Sequence, residues 1–320
     1  MKLQTQVSLK KAKKQIDYQS RLLLLGSCFV ENIGAKLEYF KFRTMQNPFG
    51  ILFHPKAIEK LISKVIKGEV YSVDDIFHQN ERWHCFDAHS DLSDPSKENL
   101  LLNLNNALAQ TKEQLSVATH VLITLGTAWV YRYKESDTIV ANCHKIPQKS
   151  FSKELLSVTE IAESLRRTID LIQSENPKIQ CVFTISPVRH LKDGFVENQR
   201  SKAHLIAAMH EVLEDSKLTA EISYFESYEL VMDELRDYRF YKNDMVHPND
   251  LAVEYIWEKF SSVWISENAK NTMASVEEIR KGQQHRPFYP ESEQHRKFVE
   301  SLERKIKKVR QNHPFIDFTV

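Results

Sequence analysis

The stretch LLLLGSCF, residues 22–29, decides how the rest of the chain can fold. Four consecutive leucines are typical of a short strand that is buried on both faces. Apolar residues then recur at helical spacing from Phe29 to Phe40, which predicts a helix directly after the Gly26-Ser27 turn. Ser27 therefore stands where a strand ends and a helix begins.

Two interpretations of Ser27 follow from this position. A serine that precedes a helix commonly caps it through its side chain. Alternatively, Ser27 is a nucleophile, because a free backbone N–H at a helix N-terminus can receive the oxyanion that the reaction creates. This stretch alone favours the capping role. The nucleophilic role depends on what the rest of the chain supplies.

The composition is that of a globular protein with a full hydrophobic core. Of the 320 residues, 42% are hydrophobic, and the formal net charge is only +1, so the chain has no signature of polyanion binding. Basic residues cluster at 10–14 and 304–310, but the second cluster alternates with apolar residues and indicates an amphipathic helix with a solvated face. We therefore expect no nucleic-acid partner.

Cysteine usage and hydropathy indicate the compartment. The four cysteines are far apart and have no metal-ligand spacing, which favours a reducing environment over a disulfide framework. The residues up to Ile16 are polar and basic, without the apolar core of a signal peptide. No stretch approaches the ~20 apolar residues of a membrane span. We expect a cytoplasmic protein with no metal and no membrane span.

Strand and helix patterns alternate between residues 22 and 264. This order predicts parallel strands with right-handed crossovers and helices on both faces, that is, a three-layer α/β/α sandwich. In such sheets the functional site lies beyond the carboxyl ends of the strands. The predicted strands are 22–25, 41–45, 121–125, 179–185 and 221–225. Beyond residue 268 the chain is more charged, and peripheral helices are predicted at 276–281 and 292–310.

Polar turns follow four of these strands and should meet at one edge of the sheet. Three of their residues could donate hydrogen bonds to an oxyanion: Asn47 through its amide, Gly50 through its N–H and Thr127 through its hydroxyl. Arg189 and His190 could bind a substrate carboxylate or a sugar hydroxyl. The alternative for Arg189 is an ion pair with a nearby acid of the same loop.

A second candidate group lies near the end of the α/β region. Asp244 and His247 are three residues apart, in a loop just before a helix. At that spacing the carboxylate can accept the imidazole N–H, fix the tautomer and leave the other nitrogen as a base. The simpler interpretation is a local contact that caps the following helix. Together with Ser27, the pair gives the chain order serine, aspartate, histidine.

Five ordered motifs resemble those of the GSCFA family, which is similar to the SGNH, or GDSL-type, hydrolases. The resemblance covers about residues 22–260, with Val30 in place of the alanine that ends the family signature. The motifs are GSCFV (26–30), NPFG (47–50), TLGTAW (124–129), SPVRH (186–190) and DMVHP (244–248).

This resemblance implies a flavodoxin-like SGNH fold, and we expect its domain to span residues 1–265. From the residue pattern beyond it, we expect a C-terminal helical extension, 266–320, packed on that domain. The resemblance also implies a serine hydrolase in which Ser27 is the nucleophile and Asp244 and His247 complete the triad. Asn47 and Gly50 match the second block of the SGNH pattern. Thr127 stands where the third block has an asparagine, and a hydroxyl donates only one hydrogen bond.

The implied substrate is a small-molecule or carbohydrate-like O-acyl ester, and the implied enzyme is an esterase or deacetylase that needs no cofactor. Two alternatives remain: an O-acyltransferase that uses the same triad, and a non-catalytic binding module that keeps the fold. The sequence leaves the oligomeric state undetermined.

Overall fold

A parallel sheet lies at the centre of the structure, a computed structural model that describes residues 4–216, 218 and 220–318. Ten strands and nine α-helices occur within these residues. The strands are β1 (Arg21–Gly26), β2 (Arg43–Gln46), β3 (Ile76–Gln79), β4 (Arg82–Cys85), β5 (His120–Leu125), β6 (Trp129–Tyr133), β7 (Thr138–Val140), β8 (Phe151–Leu155), β9 (Gln180–Ile185) and β10 (Glu221–Phe225). The helices are α1 (Cys28–Tyr39), α2 (Pro55–Lys67), α3 (Lys97–Val117), α4 (Val158–Glu175), α5 (Phe195–Leu213), α6 (Ser227–Glu229), α7 (Asp250–Trp264), α8 (Glu267–Gln284) and α9 (Glu293–Asn312).

The central sheet has the strand order β2-β1-β5-β9-β10, and every neighbouring pair is parallel. Counted along the chain within this sheet, the order is 2-1-3-4-5, which is the flavodoxin-like doubly wound arrangement. The predicted α/β/α sandwich is thereby confirmed. Two small antiparallel sheets, β3-β4 and β7-β6-β8, lie in the connections that lead into and out of β5.

The leucine run of β1 explains why helices cover both faces. Leu22 and Leu24 belong to a hydrophobic cluster with residues of α1, α7 and α8. Leu23 and Leu25 point the opposite way and join a cluster with residues of α2, α3, α4 and α5. None of the four is more than 1% exposed. Successive side chains of a strand alternate between faces, so an unbroken apolar run requires a helical layer on each side.

Three segments differ from the sequence-based expectations. The polar strand β8 was not predicted, and it forms because it pairs with β6. The sequence of residues 227–236 predicts one helix, but the structure has the short α6 followed by a π-helical turn, Leu230–Glu234. There the Glu234 carboxylate accepts the N–H of Val7 at 2.6 Å, a contact that no local pattern encodes. Helix α8 is much longer than predicted, because its apolar stripe is narrow within a polar helix.

The residues that follow α7 extend the hydrophobic layer around α1. Val276 and Ile279 of α8 are fully buried, and Ile316 and Phe318 lie in the same cluster as Phe40. The predicted domain boundary after residue 265 stays a prediction. Of the helices in the described part of the chain, none combines the length and the apolar character that a bilayer crossing requires.

Gly26 is required by the close approach of β1 to β5. Its φ of +129° is a conformation that side-chain-bearing residues rarely adopt, and a Cβ atom there would lie 2.1 Å from the carbonyl oxygen of Thr124. The same oxygen accepts the N–H of Ser27 at 3.1 Å. The N–H of Gly26 donates to Asn47 Oδ1 at 2.9 Å. Gly26 therefore fixes where Ser27 begins its helix.

We expect Gly26→Ala to lower the free energy of unfolding by at least about 2 kcal/mol, because backbone of a central strand must move to make room. The matched control is Gly68→Ala. Gly68 also has a positive φ, 66°, but its nearest neighbour would be the flexible end of Lys112 at 4.0 Å. That variant should lose only about 1 kcal/mol. Urea unfolding measures both, and equal losses would contradict the steric explanation.

Candidate active site

Ser27 occupies the N-cap position of α1, but its side chain does not cap the helix. The residue is 1% exposed, and its backbone N–H donates to Thr124 O at 3.1 Å. Its hydroxyl oxygen is buried and has no hydrogen-bond partner among the described residues. A buried hydroxyl without a partner lowers stability, which is unusual for a residue whose role is structural.

Cys28, beside Ser27, does not have the properties of an activated nucleophile. Burial raises the pKa of its thiol above the ordinary value, and the charge of Glu31 raises this pKa further. The charges of Lys202 and Lys242 act in the opposite direction without overcoming these effects. Cys28 therefore stays a thiol, whereas thiolates are the reactive form of cysteine.

Asp244 and His247 form a preassembled pair. His247 Nδ1 and Asp244 Oδ2 are 2.6 Å apart, and Asp244 Oδ1 accepts the N–H groups of Val246 and His247, each at 2.9 Å. These hydrogen bonds, first from backbone N–H groups and then from the imidazole, lower the pKa of Asp244 to about 2. An ionised carboxylate can only accept, so the imidazole proton lies on Nδ1 and Nε2 is free to act as a base.

The loop that carries this pair is held by its own backbone. Lys242 N–H donates to His247 O at 2.7 Å, and Met245, at the tip, has a φ of 58°. The helix that follows is capped by Asn249, whose Oδ1 accepts the N–H of Ala252. Helix capping, the simpler interpretation of the Asp244 motif, is thus the function of a different residue.

The serine and the histidine belong to the same edge of the sheet, but the bond between them is not formed. Ser27 Oγ has no partner within the described residues, and the His247 side chain is about half exposed. Electrostatic effects link the two regions. The charges of both Lys202 and His247 lower the pKa of His190, and Lys242, from the His247 loop, acts on the Cys28 thiol.

The residues predicted to donate to an oxyanion all hold hydrogen bonds in this structure. The N–H of Gly50 donates to Asn47 O at 2.7 Å. Thr127 Oγ1 shares a hydrogen bond with Ser201 Oγ at 3.0 Å and accepts the N–H of Trp129. Asn47 Nδ2 makes the longest of these contacts, 3.3 Å to Glu31 Oε1, and has a second hydrogen to donate.

His190 lies where the loops after β5 and β9 meet. Its ring packs edge-on against Phe53, with ring centres 5.3 Å apart, and a Cβ atom at Gly126 would come within 3.3 Å of its Nε2. Burial is the main cause that lowers the pKa of His190 to about 4, so it is neutral at physiological pH. Within the described residues, no group of three or more His, Cys, Asp or Glu side chains is arranged to hold a metal ion.

The sequence analysis missed the polar side chains of α5 that hold these loops in place. Asn198 Oδ1 accepts the N–H of His190 at 3.0 Å, and Ser201 Oγ accepts the N–H of Ala128 at 2.7 Å. Both are buried, as is Lys202. A signal was present, because residues 198, 201 and 202 continue the stripe of the apolar residues 205, 208, 209 and 212.

Lys202 is the most unusual of the three. Its side chain is fully buried, and its Nζ donates to the carbonyl oxygens of Gly126 and Ser186, each at 2.6 Å. These carbonyls follow β5 and β9, so one amine joins the ends of two neighbouring strands. Burial lowers the pKa of Lys202 to about 7, the electrostatic interaction with the Cys28 sulfur opposes this shift, and the charge of Arg189 adds to it.

We expect the buried amine of Lys202 to make the fold more stable as the pH rises from 7 to 9. In this range the unfolded chain binds the lysine proton and the folded chain has lost it, because the ordinary pKa of 10.5 falls to about 7 on folding. The free energy of unfolding of the wild type, minus that of Lys202→Met, should therefore increase by about 2 kcal/mol over this range.

Urea unfolding at several pH values measures this difference. Subtracting the free energy of unfolding of Lys202→Met from that of the wild type cancels the titration of groups that the two proteins share, such as the buried cysteines. The control is Lys242→Met, which removes an exposed lysine from the neighbouring loop. Parallel pH curves for wild type and Lys202→Met would show that Lys202 keeps its proton in the fold.

Comparisons with known proteins place these features in a family. The profile of the GSCFA family matches residues 21–260, and that of the GSCFA domain protein, C-terminal domain, matches residues 276–320. None of the curated proteins is significantly similar in sequence.

Solved structures that resemble this one do so at low identity. A carbohydrate esterase family 3 protein from Talaromyces cellulolyticus is 8% identical, with 81% of this chain and 99% of that chain covered and a TM-score of 0.36. A serine-to-alanine mutant of an acetyl esterase with an acetate ion is 10% identical, with coverages of 81% and 99% and a TM-score of 0.31. An acetyl xylan esterase from the rumen bacterium Butyrivibrio proteoclasticus is 9% identical, with coverages of 77% and 64% and a TM-score of 0.32. By the family match over residues 21–260, the chain belongs to the GSCFA family.

Proposed function

We propose that this protein is a serine hydrolase that cleaves an O-acyl ester through a covalent acyl intermediate on Ser27. The observation that carries the proposal is the buried hydroxyl of Ser27, which has no partner among the described residues, at the sheet edge that also holds the preassembled Asp244–His247 pair. A strand-to-helix turn presents a serine in the way that nucleophile elbows do. The pair supplies a base with its free nitrogen already defined.

The chemistry follows from these groups. His247 Nε2 takes the proton of Ser27 Oγ as the oxygen attacks the ester carbonyl carbon. Asp244, which stays ionised, stabilises the imidazolium that forms. The imidazolium then gives its proton to the departing alcohol. A water molecule, deprotonated by His247, attacks the acyl-serine, and the acid is released as Ser27 regains its proton.

Substrate binding must bring Ser27 and His247 into contact, since no hydrogen bond joins them here. Catalytic hydrogen bonds are often long or absent before the substrate arrives. The Asp244 loop is exposed and carries the pair as a unit, so it can move without breaking the bond between the two side chains. Once His247 reaches Ser27, the unpartnered hydroxyl gains its acceptor.

The oxyanion requires donors that are available near Ser27. In the first turn of α1 the N–H of Val30 donates to Ser27 O at 2.9 Å, but the N–H groups of Cys28 and Phe29 precede the first bond of the helix, and the helix dipole favours negative charge there. Asn47 Nδ2 can add one hydrogen bond from the hydrogen that Glu31 does not accept. Gly50 and Thr127 would contribute only after exchanging their present hydrogen bonds.

Acyl transfer to an alcohol is the second candidate, and the burial of Ser27 favours it. A nucleophile that is 1% exposed lies in a site from which water is largely excluded. An acyl-serine formed there would survive longer against hydrolysis. The same residues would serve, with an alcohol acceptor replacing water in the second step. The ratio of transfer to hydrolysis products in the presence of added alcohols distinguishes the two reactions.

We expect Ser27→Ala to abolish hydrolysis of short-chain chromogenic esters, because the attacking oxygen is removed. A fluorophosphonate probe should add one label to the wild type at Ser27, located by mass spectrometry. Cys28→Ala is the matched control and should keep both turnover and labelling. Labelling at Cys28 would overturn the assignment of the nucleophile. A folded protein without labelling or turnover would instead favour the binding-module alternative.

We also expect Asn47→Asp, made in a Glu31→Gln background, to lower kcat by about 10²–10³-fold, as loss of one oxyanion donor does. The aspartate keeps an acceptor for the N–H of Gly26, and the second change preserves the net charge beside α1. Glu31→Gln alone is the control. Turnover equal to that of the control would remove Asn47 from the oxyanion site.

A further inference from the structure

A cavity of about 460 Å³ opens beside the Asp244–His247 pair. Its lining includes Asp244 and Met245, from the loop that carries the Asp244–His247 pair, and Arg189, from the loop after β9. Apolar and aromatic side chains supply most of the remaining wall, among them Phe195 and Tyr241. The cavity is large enough for a small organic molecule, and it is next to the proposed base.

The charged side chains that line this cavity differ in whether they have a partner side chain. Four charged residues contribute to its wall: Arg189, Arg236, Asp237 and Asp244. Three of them have a partner side chain that balances or engages the charged group. Arg236 pairs with Asp233 at 2.9 Å, Asp237 pairs with Arg239 at 2.9 Å, and Asp244 holds His247 at 2.6 Å.

Arg189 has no carboxylate partner anywhere in the described part of the chain. Its guanidinium donates to the hydroxyl of Tyr241 at 3.4 Å and to the sulfur of Met232 at 3.0 Å. The first contact is long and the second uses a weak acceptor. Asp193, an acid of the same loop that the sequence offered as a partner, is instead bound to Lys153 at 2.5 Å.

A guanidinium has five N–H donors in a planar fork that matches a carboxylate. Bidentate bonds of this kind are stronger than neutral hydrogen bonds and strictly oriented. Here the fork lines a cavity with apolar walls, and its protein partners are neutral. The neighbouring Lys202 and His190 cannot act as its counter-ion, because an amine and an imidazole are either neutral or cationic.

We propose that this cavity is a recognition subsite in which Arg189 binds a carboxylate of the substrate. The inference rests on the proposed ester hydrolysis and narrows the substrate to esters that carry a carboxylate and an apolar body. Asp244 stays ionised, but its oxygens already accept hydrogen bonds from His247 and from two backbone N–H groups, so it is not the partner of Arg189. Arg189 positions the substrate and takes no part in the bond changes.

Matched esters test this proposal in wild type. On the alcohol side, 4-acetoxybenzoate is compared with the neutral 4-acetoxybenzamide. On the acyl side, phenyl hydrogen adipate is compared with phenyl methyl adipate. For at least one pair, kcat/KM should be at least about tenfold higher for the anionic ester, as expected for a charge-assisted bidentate bond. No preference in either pair would overturn the proposal.

Variants then assign the preference to Arg189. Arg189→Gln should reduce the anionic-to-neutral ratio of kcat/KM to about one, and Arg189→Lys should keep only part of it because a lysine has no fork. Arg236→Gln is the matched control, since Arg236 lines the same cavity but is paired with Asp233. A preference that survives in Arg189→Gln would also overturn the proposal.

A binding measurement separates this inference from the proposed function. In Ser27→Ala, calorimetry compares 4-hydroxybenzoate with 4-hydroxybenzamide, and adipate with adipamide, with and without Arg189→Gln. Tighter binding of a carboxylate that depends on Arg189 supports the subsite even if no ester is hydrolysed, in which case only the hydrolase proposal fails. Equal binding of the charged and neutral probes of both pairs would remove the subsite.

Discussion

The bridge from Lys202 to the carbonyls of Gly126 and Ser186 is the contact on which the site depends. A parallel sheet leaves the carbonyls at its strand ends without partners, and buried carbonyls must find donors. One amine from α5 satisfies two of them and joins β5 to β9. Asn198 and Ser201, on the same helix face, bind the backbone of the adjoining loops. Helix α5 thus holds in place the loops after β5 and β9, which lie next to Ser27 and carry His190 and Arg189.

The position of Ser27 depends on the close approach of β1 to β5 at Gly26. Because this residue has no side chain, the carbonyl of Thr124 can come close and accept the N–H of Ser27. That hydrogen bond ties Ser27 to β5 and removes its N–H from the possible oxyanion donors. The hydroxyl of Ser27 is buried and has no hydrogen-bond partner among the described residues, so local stability is lower than it would be with a capping serine.

The site therefore combines a buried half with an exposed one. Ser27 is enclosed by sheet and helix, whereas Asp244 and His247 are at the surface, next to the cavity that Arg189 lines. The proposed reaction requires the two halves to meet, and a substrate that fills the cavity would supply the free energy for that movement. In that proposal, the burial of Ser27 and the exposure of His247 make the contact between them depend on substrate binding.

The sequence by itself determined the features that depend on neighbours along the chain. The leucine run required a sheet with helices on both faces, and the alternation of elements gave its parallel order. The spacing of Asp244 and His247 was enough to predict their contact, because two residues that are three positions apart in one tight turn lie close together. The tertiary structure decided the rest. The apolar stripe of α5 indicates that Lys202 faces the core, but its partners are two strand ends that lie 76 and 16 residues away along the chain. The absence of an acid beside Arg189 likewise depends on which partners Asp193 and Asp244 find elsewhere in the described chain. Such partnerships arise between distant segments, where burial and competition for charge, rather than local periodicity, determine the outcome.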